Sequence, residues 1–359
     1  MGVGGPDPLL RHPVRSRDRR PADLDVAGAQ HENAIRLSLP FWLIHANGAW
    51  IVKALVIGGN GFIGSHLVDR LVSLGWEVVV LDFQGRRYEP VPKEVHFILG
   101  DLNQAYLVRE ALIGVDIVFH LAWTTIHEIS NLDPSADISA NLIPSVNLIQ
   151  ACRLAGTKRF VFISSGGTVY GPAREFPIPE SHPKNPINAY GITKLAVEKY
   201  LNMFHHLYRF EYAVLRPSVP YGPRQNPAGK QGAVAVFLYR VSHSLPITVW
   251  GDGSVSRDYF YIGDLVEALV AAAERPLGAD RIFNIGGAEE ITLKVLLEKV
   301  EATVGKKAQV EYQPERKFDA PRIALDTSLA KRVLGWGAKV ALDDGLARTW
   351  EWMNTAVGD

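Results

Sequence analysis

Two ionisable side chains four residues apart, Tyr190 and Lys194, are the clearest candidates for chemistry in this sequence. At this spacing on a helix, both side chains lie on the same face. A tyrosine hydroxyl ordinarily has a pKa of about 10, and bringing that pKa to about 7 requires about 4 kcal/mol of preferential phenolate stabilisation. A neighbouring ammonium and a cationic cofactor ring could supply this energy together. We therefore predict that Tyr190 accepts a proton and that Lys194 supports it electrostatically. Both residues should also contact the cofactor, with Lys194 holding the ribose attached to that ring.

A glycine-rich segment far upstream is typical of a phosphate-binding loop. It follows a continuous apolar run and opens a helical pattern, and this context makes the glycine spacing specific. Glycine allows a tight turn and a close approach of the backbone to a pyrophosphate, while the helix N-terminus offers N–H groups and a partial positive charge. We predict that a dinucleotide cofactor contacts Gly58, Gly61, Phe62, Ile63 and Gly64.

Acidic residues after the next two predicted strands indicate how the dinucleotide is held. Asp82 lies about twenty residues after the loop, where a carboxylate accepts hydrogen bonds from the adenosine ribose and so favours NAD over NADP. Arg86 and Arg87 either soften that preference or belong to a solvated loop. Asp101, which precedes Leu102, either binds the adenine amino group or caps the next helix. We include Asp101 and Leu102 in the predicted cofactor site.

The elements that must position these residues alternate between strands and helices. This alternation predicts an α/β fold with a Rossmann-type, doubly wound parallel sheet. Buried strands are predicted at residues 53–57, 77–81, 95–99, 116–120, 160–164 and 212–215. Helices are predicted at 61–74, 136–155 and 190–208, and Pro144 should kink the second of them. Prolines crowd the segment after Arg216, which suggests a domain boundary there.

Charge balance and cysteine content narrow the possible partners. The 359 residues contain 38 Lys and Arg and 38 Asp and Glu, so the net charge does not point to nucleic acid or a membrane surface. The single cysteine, Cys152, cannot form an intrachain disulfide, which favours a reducing cytoplasm. We expect it to face a helix packing surface rather than to be a reactive thiol. His205 and His206 lack partners at metal spacing, so no metal site is predicted.

Residues 1–51 differ from the rest because they lack hydrophobic periodicity. We interpret them as an N-terminal extension, either disordered or translated from upstream of a true start near Val52. The apolar stretch at 37–52 is short for a membrane span, so no membrane association is predicted. Acidic residues before that stretch argue against a twin-arginine signal at Arg19 and Arg20.

Together these motifs resemble the NAD-dependent epimerase/dehydratase family within the extended short-chain dehydrogenases/reductases. The resemblance runs from residue 52 to the C-terminus and includes segments 119–122, 164–171, 221–224, 251–253, 257–259, 283–286 and 334–336. It implies a tightly bound NAD, a nucleotide diphosphate sugar as substrate, and a homodimer. It also implies a cofactor domain at 52–217, to which 257–286 returns, and a smaller substrate domain in most of 218–359.

The resemblance also implies roles for individual residues. Arg257 matches a position that contacts the diphosphate, and Arg316 and Asp319 match a pair that contacts the nucleotide end. Arg224 lies in a segment shared with the substrate loop of the family. Arginine suits this task because its guanidinium donates two parallel hydrogen bonds to phosphate oxygens. Positions expected beside the cofactor are Leu121 and Ala122.

The chain departs from the family pattern at two positions. Gly166 stands where the family carries a catalytic Ser or Thr, which hydrogen-bonds the sugar oxygen and relays its proton. Thr168, on the same strand face, or Ser165 could take over part of that role. Val219 stands where related epimerases carry a substrate-binding Asn, and a valine side chain cannot donate that hydrogen bond.

We therefore predict an NAD-dependent nucleotide-sugar epimerase that inverts C4 of a UDP-sugar through a transient 4-keto intermediate. One alternative is a nucleotide-sugar 4-reductase or dehydrogenase that uses the same Tyr and Lys. Another is a non-catalytic NAD-binding protein on the same fold. Related 4,6-dehydratases carry an Asp-Glu pair where this chain has Gly167 and Thr168, so dehydration is not expected.

Overall fold

The computed structural model describes residues 1–2, 51–85, 94–125, 127–229, 232–287, 289–315 and 320–356. Apart from residues 1, 2 and 51, the predicted N-terminal extension lies outside this set, as do Arg86, Arg87, Arg316 and Asp319. Within the described residues, no helix is both long and apolar enough to cross a bilayer.

Short strands run through the whole described chain. In chain order they are β1 (Lys53–Ile57), β2 (Glu77–Asp82), β3 (Val95–Leu99), β4 (Ile117–His120), β5 (Arg159–Ile163), β6 (Tyr212–Pro217), β7 (Val219–Tyr221), β8 (Pro246–Trp250), β9 (Ser256–Arg257), β10 (Tyr259–Tyr261), β11 (Ile282–Ile285), β12 (Ile291–Thr292), β13 (Gln309–Gln313) and β14 (Arg322–Ile323). All six predicted strands are present, with bounds shifted by two residues at most.

The first six strands and β11 form a seven-stranded parallel sheet in the order β11-β6-β5-β4-β1-β2-β3. The direction of winding reverses between β1 and β4, and such a reversal opens a crevice at the carboxyl ends of the strands, where ligands bind. Its central strands are buried on both faces, which is why they read as continuous apolar runs. The predicted Rossmann-type α/β fold is confirmed.

Helices cover both faces of the main sheet, and further helices belong to the C-terminal part of the chain. They are α1 (Phe62–Ser73), α2 (Ala105–Ala111), α3 (His127–Leu132), α4 (Pro134–Asp137), α5 (Ile143–Ala155), α6 (Ala189–Tyr208), α7 (Ala233–Ser242), α8 (Ile262–Glu274), α9 (Leu293–Val304), α10 (Ser328–Leu334) and α11 (Leu342–Ala356). Leu67 of α1 and Leu269 of α8 pack on one face, and Leu148 of α5 and Val197 of α6 pack on the other. Full burial of each such side chain contributes about 1.5–3 kcal/mol.

The region predicted as one helix over 136–155 consists of α4, a π-helical segment at Ile138–Leu142, and α5, which follow one another directly. Pro144 lies in the first turn of α5, where its missing N–H is best tolerated. Single π turns within helices are frequent at functional sites because they turn side chains out of the regular helical register. Here the segment carries Asn141, and Asp137 immediately precedes it.

The chain beyond β6 builds smaller sheets around a separate apolar cluster. The pairs are β7 with β10 and β8 with β13, while β9 lies between β12 and β14. Helices α7, α9 and α11 enclose this cluster with residues such as Leu238, Leu296 and Leu346. Between these elements, α8 packs against α1 and β11 pairs with β6 in the main sheet.

Candidate active site

The glycine loop between β1 and α1 is packed as only glycine allows. Gly58 has a φ of 80°, and a Cβ atom there would lie 2.8 Å from the backbone nitrogen of Ala122. A Cβ atom on Gly64 would lie 2.1 Å from the carbonyl oxygen of Gly58. Helix α1 then begins at Phe62 with no side-chain cap and no acidic residue in its first turn. Its first N–H groups therefore suit an anion such as a pyrophosphate.

A cavity of about 360 Å³ opens beside this loop at the carboxyl edge of the sheet. This volume is typical of a small-molecule site. Phe62, Ile63 and Gly64 form the first turn of α1 directly after Gly61. The predicted cofactor residues that line the cavity are Gly58, Gly61, Asp82, Asp101, Leu102, Leu121 and Ala122. The residues present thus fit a dinucleotide, because its phosphate cradle and the acidic ends of β2 and β3 share one space.

Two acidic residues in the cavity wall also accept hydrogen bonds from nearby backbone N–H groups and so stabilise the loops around them. Asp82 accepts hydrogen bonds from the backbone N–H of Asn60 and of Gln84, each at 3.0 Å. Each carboxylate oxygen has a second lone pair, so Asp82 can still accept a ribose hydroxyl. Asp101 accepts from the backbone N–H of Asn103 at 2.7 Å, so its carboxylate stabilises the turn before α2.

Tyr190 and Lys194 lie in the first turns of α6, close to the end of β5. Asn188 caps this helix, because its side-chain oxygen accepts from the Gly191 N–H at 2.8 Å. A Cβ atom at Gly191 would lie 2.8 Å from the carbonyl oxygen of Thr168, so glycine allows α6 to approach the turn after β5. Lys194 is 1% exposed and donates from Nζ to the carbonyl oxygen of Ile163 at 2.8 Å.

Burial acts against the ionised forms of both residues. It raises the pKa of Tyr190 above its ordinary value, and the negative charge of Asp137 raises it further. Burial also lowers the pKa of Lys194, whereas Asp137 and Glu198 oppose that change. In the protein alone, these effects oppose the predicted lowering of the Tyr190 pKa, and positive charge brought in with a cofactor would act against them.

The buried carboxylate of Asp137 connects the π-helical segment to α6. Asp137 is 0% exposed, and its Oδ2 accepts from the Thr193 hydroxyl at 2.7 Å. Its Oδ1 accepts from the Asn141 side chain at 2.9 Å and also from the Thr125 hydroxyl. The sequence analysis missed this cluster, because no local pattern indicates that Asp137 lies beside Tyr190.

The hydroxyls that could replace the one missing at Gly166 have different environments. Strand β5 ends at Ile163 and residues 166–168 form a turn, so the prediction that Thr168 lies on the same strand face as Gly166 is wrong. Thr168 is 4% exposed, and its hydroxyl has no hydrogen-bond partner among the described residues. Ser165 is half-buried just beyond the end of β5. A Cβ atom at Gly166 would lie 2.4 Å from Cδ1 of Leu325 and 3.0 Å from the carbonyl oxygen of Arg216. The absence of a side chain at 166 is thus matched by the packing of Leu325.

The described arginines predicted to bind substrate have protein partners. Arg224, with a φ of 66°, pairs with Asp69 of α1 at 2.7 Å. Arg257 donates to the carbonyl oxygen of Ser256 at 2.7 Å and lies on β9, between β12 and β14. Val219 begins β7 and is half-buried. Arg316 and Asp319 lie outside the described residues.

Other titratable groups near the cavity are held in neutral states. His120 is 1% exposed, and burial followed by the charge of Lys194 lowers its pKa to about 3. One of its ring nitrogens lies 2.8 Å from the Ser145 hydroxyl, so its hydrogen bonding is local. Cys152 lies buried in α5, where burial raises the pKa of its thiol. No His, Cys, Asp or Glu cluster in the described ranges could hold a metal ion.

A glycine phosphate loop, a cavity at the carboxyl edge of a parallel sheet and an adjoining Tyr–Lys pair define a dinucleotide-dependent enzyme of the short-chain dehydrogenase/reductase type. The sequence profile of the NAD-dependent epimerase/dehydratase family matches residues 54–286. The chain belongs to this family, and NAD is its cofactor. Both predictions are confirmed.

Several relatives carry specific names. The chain is 38% identical over 307 residues to a UDP-glucose 4-epimerase of Mycolicibacterium smegmatis, covering 84% of this chain and 98% of that protein. It is 33% identical to a dTDP-4-dehydro-6-deoxyglucose reductase of Escherichia coli, and the match covers 81% of this chain and 94% of that protein. The crystal structure of the Thermotoga maritima UDP-glucose 4-epimerase with UDP-glucose is similar with a TM-score of 0.81 and 36% identity, covering 85% of this chain and 100% of that one. The crystal structure of the Thermus thermophilus UDP-glucose 4-epimerase with NAD is similar with a TM-score of 0.78 and 36% identity. The match covers 85% of this chain and 100% of that one.

Proposed function

We propose that this protein interconverts a UDP-sugar and its C4 epimer through a 4-keto intermediate. The observation that carries the proposal is the Tyr190–Lys194 pair on α6, both members of which contact Trp123 in the wall of the cavity beside the glycine loop. The chain aligns with nearly the full length of relatives named UDP-glucose 4-epimerase. The prediction of an NAD-dependent nucleotide-sugar epimerase is confirmed at the level of this class.

Bound NAD would supply the reversible hydride transfer that this reaction needs. The residues that would hold it are the loop from Gly58 to Gly64, the acidic residues Asp82 and Asp101, and the turn at Leu121 and Ala122. The ends of β1, β2, β3 and β4 carry these residues, so the sheet itself sets their spacing.

The protein contributes proton transfer and orientation. Tyr190 takes the proton of the sugar 4-hydroxyl and gives it back after the sugar has turned. Lys194 places a positive charge beside the phenol, and its hydrogen bond to Ile163 fixes that charge against the end of β5. Burial of both groups strengthens their electrostatic interaction, because little water screens it.

We propose that the C-terminal elements hold the nucleotide while the sugar rotates. In this proposal the substrate domain occupies most of residues 218–359, and 257–286 belongs with the cofactor domain at 52–217. Arg257 would contact the diphosphate, Arg316 and Asp319 would contact the nucleotide end, and Arg224 would belong to the substrate loop. Arginine suits phosphate binding because its guanidinium can donate two parallel N–H hydrogen bonds to phosphate oxygens.

The direct test uses the full-length purified chain. Denatured protein is analysed for released NAD, and the protein is incubated with UDP-glucose, UDP-N-acetylglucosamine and their uronic acids. We expect C4 epimers of at least one sugar, and Tyr190→Phe should lose turnover by at least about a thousandfold while retaining NAD. The conservative Tyr200→Phe, elsewhere on α6, is the matched control. Absence of any C4 epimer from all these sugars, with NAD bound, contradicts the proposal.

A nucleotide-sugar 4-reductase is the second candidate, because the Escherichia coli reductase matches over 94% of its own length. Val219 also favours it, since the side chain there cannot donate the hydrogen bond that the sequence comparison expects of an epimerase. Stoichiometric consumption of NADH with a 4-keto sugar would support the reductase, whereas redox-neutral turnover supports the epimerase. Binding of NAD without turnover of either substrate class would leave the non-catalytic alternative.

We also propose that the enzyme is a cytoplasmic homodimer. Helices α5 and α6 expose apolar side chains at helical spacing, namely Ile143, Leu154, Ile192, Met203 and Leu207. Exposed apolar side chains repeated along a helix are typical of an association surface. Light scattering should give about twice the 39.6 kDa chain mass, and Ile192→Glu with Met203→Glu should halve it. The cytoplasmic assignment rests on the single, buried cysteine.

A further inference from the structure

An aromatic side chain at the end of β4 contacts both members of the reactive pair. The Lys194 Nζ atom lies 3.7 Å from the centre of the Trp123 ring, nearer than to the rings of Phe162 at 4.8 Å or Tyr190 at 5.6 Å. The Trp123 and Tyr190 rings meet edge to face, with centroids 5.9 Å apart and an interplanar angle of 72°. Trp123 also lines the cofactor cavity.

The ammonium needs such a neighbour because it is almost fully removed from water. Lys194 makes a single side-chain hydrogen bond in the described structure, to the Ile163 carbonyl. The Lys194 ammonium has three N–H groups, but only one of them has an oxygen acceptor, and the aromatic rings of Trp123 and Phe162 lie beside the rest of the cation. The negative face of an aromatic ring stabilises a cation, and indole does so best of the natural side chains.

Packing alone does not account for an indole at this position. The Trp123 Nε1–H is buried and has no acceptor among the described residues. A buried donor without a partner is unfavourable, and buried indoles usually find one. A phenylalanine ring would fill the wall of the cavity without that cost. What indole adds is a stronger field over its face, and the Lys194 ammonium lies over that face.

We propose that Trp123 is a positioning residue for the reactive pair, whose indole face holds the Lys194 ammonium behind the cavity wall and whose edge-to-face contact orients Tyr190. The inference deepens the proposed function and rests on it. The charged or titratable groups that face Lys194 are Asp137 beside the π-helical segment, Glu198 on α6, His120 on β4 and Tyr190. Trp123 is uncharged, so its effect is separable from theirs.

The test replaces Trp123, in the full-length chain, by tryptophans carrying one to four ring fluorines. Fluorine weakens the negative face stepwise with little change of shape, so packing is nearly constant across the series. Because Nε1 has no acceptor in the described structure, the accompanying change in N–H acidity has no partner to act on. We expect kcat/KM to fall by about tenfold from tryptophan to the tetrafluoro form.

A second readout does not depend on turnover. The pKa of Lys194 is measured by NMR of its ¹⁵Nζ resonance, identified through its loss in Lys194→Met. It should fall in step with each added fluorine, because the charged form loses stabilisation. The same series at Trp76, buried against Phe119 in the core, is the matched control and should change neither quantity.

The outcomes are separable. If kcat/KM and the Lys194 pKa are both flat across the fluorine series, Trp123 acts by shape alone and the inference is wrong. If no sugar is turned over but the Lys194 pKa still follows the series, the proposed function fails while the role of Trp123 stands. Trp123→Phe, which keeps a weaker ring face, should lie between tryptophan and the tetrafluoro form in Lys194 pKa.

Discussion

The carboxylate of Glu198 and the guanidinium of Arg216 form a two-point ion pair inside the protein, at 2.9 and 2.5 Å. Both side chains are 2% exposed or less. Ser164 donates to the same carboxylate at 2.5 Å, and Arg216 donates to the Tyr170 hydroxyl at 2.8 Å. Glu198 is one helical turn after Lys194, so this network joins the reactive part of α6 to the ends of β5 and β6.

The first prediction is that Glu198→Gln destabilises the fold strongly. Removing one charge of a buried pair leaves the other uncompensated, so the free energy of unfolding should fall by about 3–5 kcal/mol in urea denaturation. Glu267→Gln is the matched control, because its pair with Arg70 is exposed and should be worth at most about 1 kcal/mol. Equal losses in the two variants would contradict the prediction.

Asp137→Asn should move the pH profile of the reaction. The charge of Asp137 raises the pKa of Tyr190, as burial also does. The same charge raises the pKa of Lys194, which burial lowers. Without its charge both pKa values fall, so both limbs of the bell-shaped profile of kcat/KM should shift to lower pH, by about one pH unit. Thr193→Val removes a hydrogen bond to Asp137 without removing charge, and should leave the limbs in place. An unchanged profile in Asp137→Asn would show that its charge does not reach the pair.

The relay hydroxyl should be the one on Ser165. Ser165 is half-buried at the carboxyl end of β5, where a sugar can reach it, whereas Thr168 is 4% exposed. We expect Ser165→Ala to lower kcat by about a hundredfold, and Thr168→Val to leave kcat within about threefold of wild type. If neither variant changes turnover, Tyr190 acts on the sugar directly; a loss only in Thr168→Val reverses the assignment.

Restoring a serine at position 166 should destabilise the protein. The new Cβ atom would meet Leu325 at 2.4 Å, so Gly166→Ser should lower the free energy of unfolding by about 1–3 kcal/mol through overpacking. Gly166→Ser combined with Leu325→Ala should recover part of that loss relative to Leu325→Ala alone. A stable Gly166→Ser single variant would mean that Leu325 moves aside easily.

Asp258 should make the stability of the protein fall between acid and neutral pH. Burial raises the pKa of this carboxyl to about 7, and its Oδ2 accepts from the Leu325 N–H at 3.1 Å. The folded state therefore keeps a proton that the unfolded state has lost. This stabilisation is fully present below about pH 4 and is lost as the pH rises through about 7. From pH 4 to 8, Asp258→Asn should gain up to about 4 kcal/mol relative to wild type in urea unfolding; a constant difference would contradict this.

Much of the fold was predictable because parallel strands buried on both faces leave an unmistakable apolar run. The strands containing Leu55, Val79 and Phe162 were all predicted, since each lies in such a run. The glycine loop was predictable for a related reason: close approach between Gly58 and Gly64 excludes other residues whatever the rest of the chain does.

The remainder of the site depends on contacts between segments that are distant in sequence. Asp137 and Thr193 are separated by 56 positions, and only the fold brings them to 2.7 Å. Trp123 was findable in part, because it follows β4 at the carboxyl edge, where ligand-binding residues collect. Its position over Lys194 depends on how α6 packs, and no local pattern encodes that.

The return of β11 to the main sheet has a consequence for how the protein is made. Strand β11 pairs with β6 through residues 282–285, after the chain has built α7, β8, β9, β10 and α8. A nascent chain that has emerged only as far as residue 217 carries β6 as an open edge, with unpaired backbone groups that invite aggregation. A fragment that ends at residue 217 would therefore expose β6 as a sheet edge, and β6 gains its second neighbour only after residues 282–285 have been made.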